Sequence, residues 1–289
     1  MRGSRIARGP VVVITGAANG IGAATARLLA SQGVNLVLAD VDRVRLDRLL
    51  AELDAPTAIA VSADVAERSS VEALLESSLE RFGGIDAVVN CAGVIHPGAL
   101  DGCSVQAIRR QLDVNLFGTI NVTQIFLACY RRQSYGHFLL IASLGGVVPL
   151  PHEAVYCATK FAVRGFGLAL ALELRDTAIR VSVILPDSTV TAQLAGEARY
   201  AGSPLSFLSE PLQPYEVATA IVRTMRRPRL EVAVPGRRGL PAKLLGISPT
   251  VLGWLYPVAR RQGVRRRELM RAELDRSGES APRWGKAIP

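Results

Sequence analysis

Residues 11–22 read Val-Val-Val-Ile-Thr-Gly-Ala-Ala-Asn-Gly-Ile-Gly, an unbroken apolar, β-branched run that passes straight into a turn spaced by glycines. A run of this kind, without polar alternation, is a strand buried on both faces, as in a parallel sheet. From Gly20 to Gln32 the spacing becomes helical, which makes residues 16–22 a strand-to-helix turn. Glycines there allow a tight turn and close approach of the main chain to a ligand. The helix N-terminus adds free N–H groups and a dipole that favour an anion such as a pyrophosphate.

The same alternation continues outward. Apolar runs at 35–39, 58–61, 86–90, 137–142, 179–185 and 231–234 predict six more strands, and helical spacing at 42–53, 68–82, 104–133, 153–175 and 215–226 predicts the crossovers between them. Regular alternation implies right-handed connections, hence an α/β fold: a Rossmann-like, doubly wound parallel sheet of seven strands with helices on both faces. Ligands of such sheets lie beyond the carboxyl ends of the strands. The residues that follow each run are therefore the ones to weigh.

Asp40, next to Val41, closes the second run 18 residues beyond Gly22. A carboxylate there accepts hydrogen bonds from ribose hydroxyls and repels a 2′-phosphate, which favours NAD over NADP. Arg43 and Arg45 follow closely and soften that discrimination. Ser143 follows the fifth run, and Tyr156 and Lys160 sit four residues apart at the start of the next helix, on one face of it. A tyrosine of ordinary pKa near 10 is a poor base at neutral pH, and a neighbouring ammonium draws that value down.

Taken in order, these residues resemble a classical short-chain dehydrogenase/reductase. The resemblance rests on TGAANGIG at 15–22, Asp64-Val65, Asn90-Cys91-Ala92-Gly93, Asn115, Ser143, Tyr156 and Lys160, and spans roughly residues 10–235. It implies that Tyr156 is the general acid/base and that Ser143 orients and polarises the substrate oxygen. Lys160 would lower the tyrosine pKa and bind the nicotinamide ribose, and Asn115 would hold the water through which Lys160 exchanges protons. Gly16, Ala18, Asn19, Gly20, Ile21, Gly22, Asp40 and Val41 would cradle the dinucleotide. Asp64 and Val65 would contact adenine, and Asn90, Ala92, Gly93, Pro186, Thr189 and Thr191 would line the cofactor.

Two positions depart from the family pattern. Cys91 replaces the second asparagine of Asn-Asn-Ala-Gly, and Asp187 stands where Pro-Gly-x-Val-x-Thr has its glycine. Aspartate tolerates a left-handed backbone better than most residues, so the turn is expected to survive with a carboxylate near the substrate pocket.

Composition sets the remaining bounds. A chain of 289 residues, 49% hydrophobic and 20% charged, is too apolar for a disordered protein and too long for a disulfide-stapled one. Cys91, Cys103, Cys129 and Cys157 contain no Cys-x-x-Cys pair, which argues against a zinc site and for a reducing, cytoplasmic setting. The reading divides the chain into an arm (1–10), a catalytic domain (11–235) with an irregular substrate loop at 188–212, and a basic C-terminal extension (236–289). The arm's following apolar run is too short for a signal peptide.

The net charge of +9 is local: residues 236–271 hold nine Arg or Lys against the single acid Glu268. Nucleic-acid binding is therefore not expected. Residues 236–267 mix arginine clusters with Leu244, Leu245, Ile247, Val251, Leu252, Trp254, Leu255 and Tyr256, a composition that fits either a membrane interface or docking on the protein. Pro249 and Pro257 are expected to interrupt any long helix.

Residues 144–150 and the apolar members of 188–212, Leu194, Tyr200, Leu205, Phe207 and Leu208, are the expected substrate wall, or else core. The leading function is an NAD-dependent oxidoreductase interconverting a hydrophobic secondary alcohol and its ketone. An NADPH-dependent biosynthetic ketoreductase and a cofactor-binding protein acting at a membrane surface are the alternatives. By resemblance, a homodimer or homotetramer is expected to form through the two long helices.

Overall fold

The computed structural model describes residues 9–53, 57–200 and 203–277, so most of the arm (1–8) and the end of the extension (278–289) lie outside the described residues. The sheet has seven parallel strands: β1 (Val11–Thr15), β2 (Asn35–Asp40), β3 (Ala58–Ser62), β4 (Ala87–Asn90), β5 (Gly136–Ile141), β6 (Ile179–Pro186) and β7 (Glu231–Val234), in the order β3-β2-β1-β4-β5-β6-β7. The order reverses between β1 and β4, which opens a crevice above their carboxyl ends.

Helices α1 (Gly20–Ala30), α2 (Arg43–Leu53) and α3 (Arg68–Phe82) connect the first four strands; α4 (Val105–Gln111) and α5 (Gly118–Gln133) lead to β5, and α6 (Ala154–Glu173) leads to β6. Alternate residues of β1 feed opposite cores: Val11 and Val13 join Phe126, Tyr130 and Phe138, whereas Val12 and Ile14 join Ala26, Leu29 and Val217. This is why the strand sequences lack polar alternation. Full burial of each such side chain contributes roughly 1.5–3 kcal/mol.

The long helix expected over 104–133 is present with a π-helical segment, Leu112–Phe117, between α4 and α5. Such single-turn bulges re-aim side chains, and this one carries Asn115.

Two expectations need correction. The loop 188–212 is not irregular throughout: α7 (Ala192–Arg199) starts at Thr191, whose hydroxyl accepts from Leu194 N at 3.3 Å, and a 3₁₀ turn covers Leu205–Phe207. The threonine is a good N-cap, a local feature hidden by the apolar composition. After α8 (Pro214–Arg226) and β7, the extension forms α9 (Gly236–Ile247) and α10 (Pro249–Ser277). Pro249 opens α10, where the missing N–H costs nothing, and Pro257 lies inside it, with both Pro257 and Gly253 four residues earlier exposed, so solvent can reach the carbonyl that Pro257 leaves free.

Candidate active site

A cavity of about 820 Å³ follows the crevice from the N-terminus of α1 to the face of α9 and α10. Almost every residue expected at a site lines it: Gly16, Ala18, Asn19, Gly20, Ile21, Gly22, Asp40, Val41, Asp64, Val65, Ala92, Gly93, Ser143, Tyr156, Lys160, Pro186, Thr189 and Thr191. Asn90 and Asn115 lie behind the wall. Thr15 Oγ1 donates to Asn90 Oδ1 at 3.1 Å, and Asn90 Nδ2 donates to Thr119 O, so Asn90 ties β1 and β4 to α5.

The glycine turn is compact because it must be. Gly16 has φ +64°, and a Cβ there would lie 2.8 Å from the Ala92 main chain; a Cβ on Gly22 would lie 2.1 Å from the Gly16 carbonyl oxygen. Asn19 caps α1, its side chain accepting from Gly20 N at 3.0 Å. Gly20 and Gly22 bring the main chain of this helix end to the cavity wall. The donor set fits the pyrophosphate of a dinucleotide.

Asp40 Oδ2 accepts from Ala18 N and Oδ1 from Asp42 N, both at 3.0 Å, which fixes the carboxylate at the cavity rim. The nearby arginines are engaged elsewhere: Arg43 pairs with Asp47 at 2.8 Å and Arg45 with Asp42 at 3.3 Å. Asp64 accepts from Arg110 at 3.1 Å.

At the other end, α6 brings Tyr156 and Lys160 under Ser143, whose Oγ accepts from Gly145 N at 3.0 Å. Lys160 Nζ donates to Ile141 O at 2.9 Å and lies 5.7 Å from the Tyr156 ring centroid. Burial draws the lysine down to about 8. Tyr156 is raised well above its ordinary value, first by burial and then by the charge of Glu197, against which a hydrogen bond with Ser143 pulls the other way. The tyrosine is therefore a neutral phenol at pH 7 in this arrangement, the reverse of the lowered value expected.

Asn115 spends its amide on structure: Oδ1 accepts from Val94 N at 2.7 Å, and Nδ2 donates to Val94 O at 2.8 Å and Thr159 Oγ1 at 3.1 Å. It clamps the segment that follows β4 onto α6.

Asp187 does not adopt a left-handed backbone. Its carboxylate accepts from Ser188 N at 2.8 Å, Ser209 Oγ at 3.1 Å and Arg238 Nη1 at 2.6 Å, joining β6, the substrate loop and α9. Thr189 Oγ1 donates to Asp187 O at 2.9 Å. Of the expected substrate wall, Leu144, Val148, Leu150, Leu194, Leu205 and Leu208 line the cavity. Phe207 instead packs with Met270 and Leu274 of α10, and the Tyr200 hydroxyl accepts from Ala99 N at 3.1 Å.

Sequence reading missed a buried acid pair on the substrate side. Glu153, 2% exposed and three residues before Tyr156, accepts from Ser206 Oγ at 2.8 Å; Glu197 of α7 is 6% exposed, and both line the cavity. Burial raises both carboxyls, and at Glu197, which reaches about 8, the charge of Glu153 adds to the rise. An acid whose folded pKa exceeds its unfolded value holds its proton more tightly when folded, so stability falls as pH rises from about 4.5 to about 8. Glu197→Gln is expected to flatten that slope and to raise Tm at pH 8 by roughly 5 °C or more. Thermal melts at pH 5 and pH 8 check this; equal slopes in both proteins would contradict it.

Residues 10–199 match the short chain dehydrogenase family. An uncharacterized oxidoreductase of Staphylococcus saprophyticus is 34% identical over 221 residues, covering 75% of this chain and 92% of the relative. A short chain dehydrogenase/reductase from Burkholderia phymatum, solved with NAD, superposes with TM-score 0.75 at 28% identity, over 82% of this chain and 92% of that one. A single-substitution variant of actinorhodin polyketide ketoreductase, solved with NADPH, gives TM-score 0.72 at 28% identity, over 78% and 95%.

Proposed function

Since the chain belongs to the short chain dehydrogenase family, oxidoreductases that act on CH–OH groups with a nicotinamide cofactor, we propose that it interconverts a lipophilic secondary alcohol and its ketone, with NAD as its cofactor. The observation that carries this reading is one continuous cavity, with the α1 N-terminus and Asp40 at one end and Ser143, Tyr156 and an apolar wall at the other. Residues 11–235 form the catalytic unit, and the extension from 236 completes the substrate wall through Leu245, Leu252 and Leu255.

The bound dinucleotide supplies the hydride chemistry, and the protein supplies placement and proton transfer. Gly16, Ala18, Asn19, Gly20, Ile21 and Gly22 hold the pyrophosphate; Asp40 and Val41 take the adenosine ribose; Asp64 and Val65 take the adenine. Ala92, Gly93, Pro186, Thr189 and Thr191 line the nicotinamide half, with Asn90 and Asn115 holding that wall from behind. Ser143 Oγ donates a hydrogen bond to the substrate oxygen. The Tyr156 hydroxyl gives its proton to that oxygen in reduction and takes it back in oxidation. Lys160 stabilises the phenolate by charge and binds the nicotinamide ribose.

NAD rather than NADP follows from Asp40, because the two arginines that follow it, Arg43 and Arg45, already face Asp47 and Asp42. NADH is expected to bind at least tenfold more tightly than NADPH, and Asp40→Ala to narrow or reverse that ratio. Titration of both cofactors into both proteins measures it. An NADPH preference in the wild type would favour the biosynthetic ketoreductase.

Assembly through the long helices is part of the reading. Phe161 and Leu172 on α6, Val105 on α4 and Phe117 in the π segment are exposed, and α6 is apolar well beyond its buried face. A second copy covers such surface in a homodimer or homotetramer. The cytoplasm is the proposed setting, and Cys91, Cys103, Cys129 and Cys157 are all free thiols.

A further inference from the structure

Docking and membrane contact, alternatives in the sequence, belong to opposite faces of the same two helices. The inner faces are built for close packing. A Cβ on Gly246 would lie 2.5 Å from Val147 O, and one on Gly263 2.0 Å from Pro204 O; Ala242 is in the sheet's core. Lys243 pairs with Glu231 of β7, and Arg238 with Asp187.

The outer faces carry Leu240, Leu244 and Ile247 on α9 and Val251, Trp254 and Val258 on α10, each set spaced by three or four residues and all exposed, Ile247 by 78% and Trp254 by 76%. Arg237 precedes this stripe by three residues, and Arg261 and Arg265 continue it beyond Val258 at the same spacing. Among the described residues these three arginines have no ion-pair partner.

We propose that this outer face docks on an anionic lipid surface. The rows of Leu, Ile and Val enter the acyl boundary, Trp254 sits at headgroup depth, and the flanking arginines meet lipid phosphates. Charge selects this occupant over a second copy of the chain. A two-fold pairing of the stripe lays its arginine ends against each other, and residues 236–271 contain no acid but Glu268 to offset them.

The location gives the contact a purpose, a step that rests on the dehydrogenase reading above. The inner side of the same helices is the cavity wall, and Leu255 both lines the cavity and is 49% exposed. The cavity wall thus reaches the surface beside the docking face, and entry at that edge takes a membrane-partitioned alcohol or ketone toward Tyr156.

The test is sedimentation of the full-length protein with vesicles of phosphatidylcholine alone or mixed with phosphatidylglycerol at seven to three. Binding to the mixed vesicles is expected at least tenfold tighter than to the neutral ones and to weaken as salt is raised. Ile247→Ser with Trp254→Ser should lose at least tenfold of it, and Arg261→Gln with Arg265→Gln should lose the lipid-charge preference. Because these side chains are exposed, unchanged thermal melts are expected for both variants. Wild-type protein left in the supernatant, or equal binding by the stripe variant, overturns the proposal. A stripe variant that changes the sedimenting mass without vesicles also overturns it, and assigns the face to a second copy. Vesicle binding is read without turnover, so it separates from failure of the dehydrogenase reading, which shows as absent NADH binding.

Discussion

Tyr156→Phe is expected to lower turnover by at least about a thousandfold while leaving NADH affinity within about threefold of wild type. The substitution deletes one hydroxyl and keeps the ring in place beneath Ser143 and above Lys160. A positioned proton donor contributes roughly 10²–10⁴ in rate, and Tyr156 offers a hydroxyl with the Lys160 ammonium 5.7 Å from its ring centroid. Burial raises Glu197 to about 8 and shifts Glu153 upward, yet among the described residues neither carboxyl has a lysine beside it as Tyr156 has, and Glu153 spends one oxygen on Ser206. Paired measurements of kcat and cofactor Kd check the prediction. Retained turnover would remove Tyr156 from the mechanism, and lost NADH binding would mean that the ring itself is part of the cofactor site.

Gly22→Ala is expected to abolish cofactor binding, by about a hundredfold or more, and to destabilise the unliganded protein by roughly 2–4 kcal/mol. The added methyl would fall 2.1 Å from the Gly16 carbonyl oxygen and 3.1 Å from Ala17 Cα. Both obstacles are main chain, so the clash is not relieved by a rotamer change. The turn has to open, and with it the helix end that faces the pyrophosphate. Chemical denaturation gives the stability term and fluorescence titration with NADH the affinity. A variant that binds NADH as wild type does would show that the turn is not the phosphate cradle.

The seven strands and the crevice were legible because burial on both faces leaves an unmistakable record: Val11 to Ile14 are fully buried, and no polar residue interrupts them. The Tyr156 and Lys160 pairing was legible because four residues on a helix fix a shared face whatever surrounds it. What surrounds it was not. The acid pair joins Glu153, the residue just before α6, to Glu197 on α7, and only tertiary packing brings them together. Asp187 read as a substituted glycine in need of a left-handed turn; its partner Arg238 is 51 residues away and turns the carboxylate into a clamp. The extension was the least legible part. Prolines suggested interruption, but Pro249 falls where a helix begins, and apolar residues shared between two faces look in sequence like a single choice between core and lipid.

That shared wall also bears on experiment. Removing residues from 236 onward would strip Ala242 from the core and Met270 and Leu274 from the packing of α7, so point substitutions on the outer face are the cleaner probe.

The central claim is tested most directly by following NADH formation at 340 nm with purified full-length protein, NAD and a panel of steroid, retinoid, long-chain and small cyclic secondary alcohols, with Tyr156→Phe as the blank. The account predicts NADH formation by the wild type alone, strongest with the lipophilic members of the panel. Silence across the panel from a protein that still binds NADH would contradict it and favour a cofactor-binding protein that works at a membrane surface.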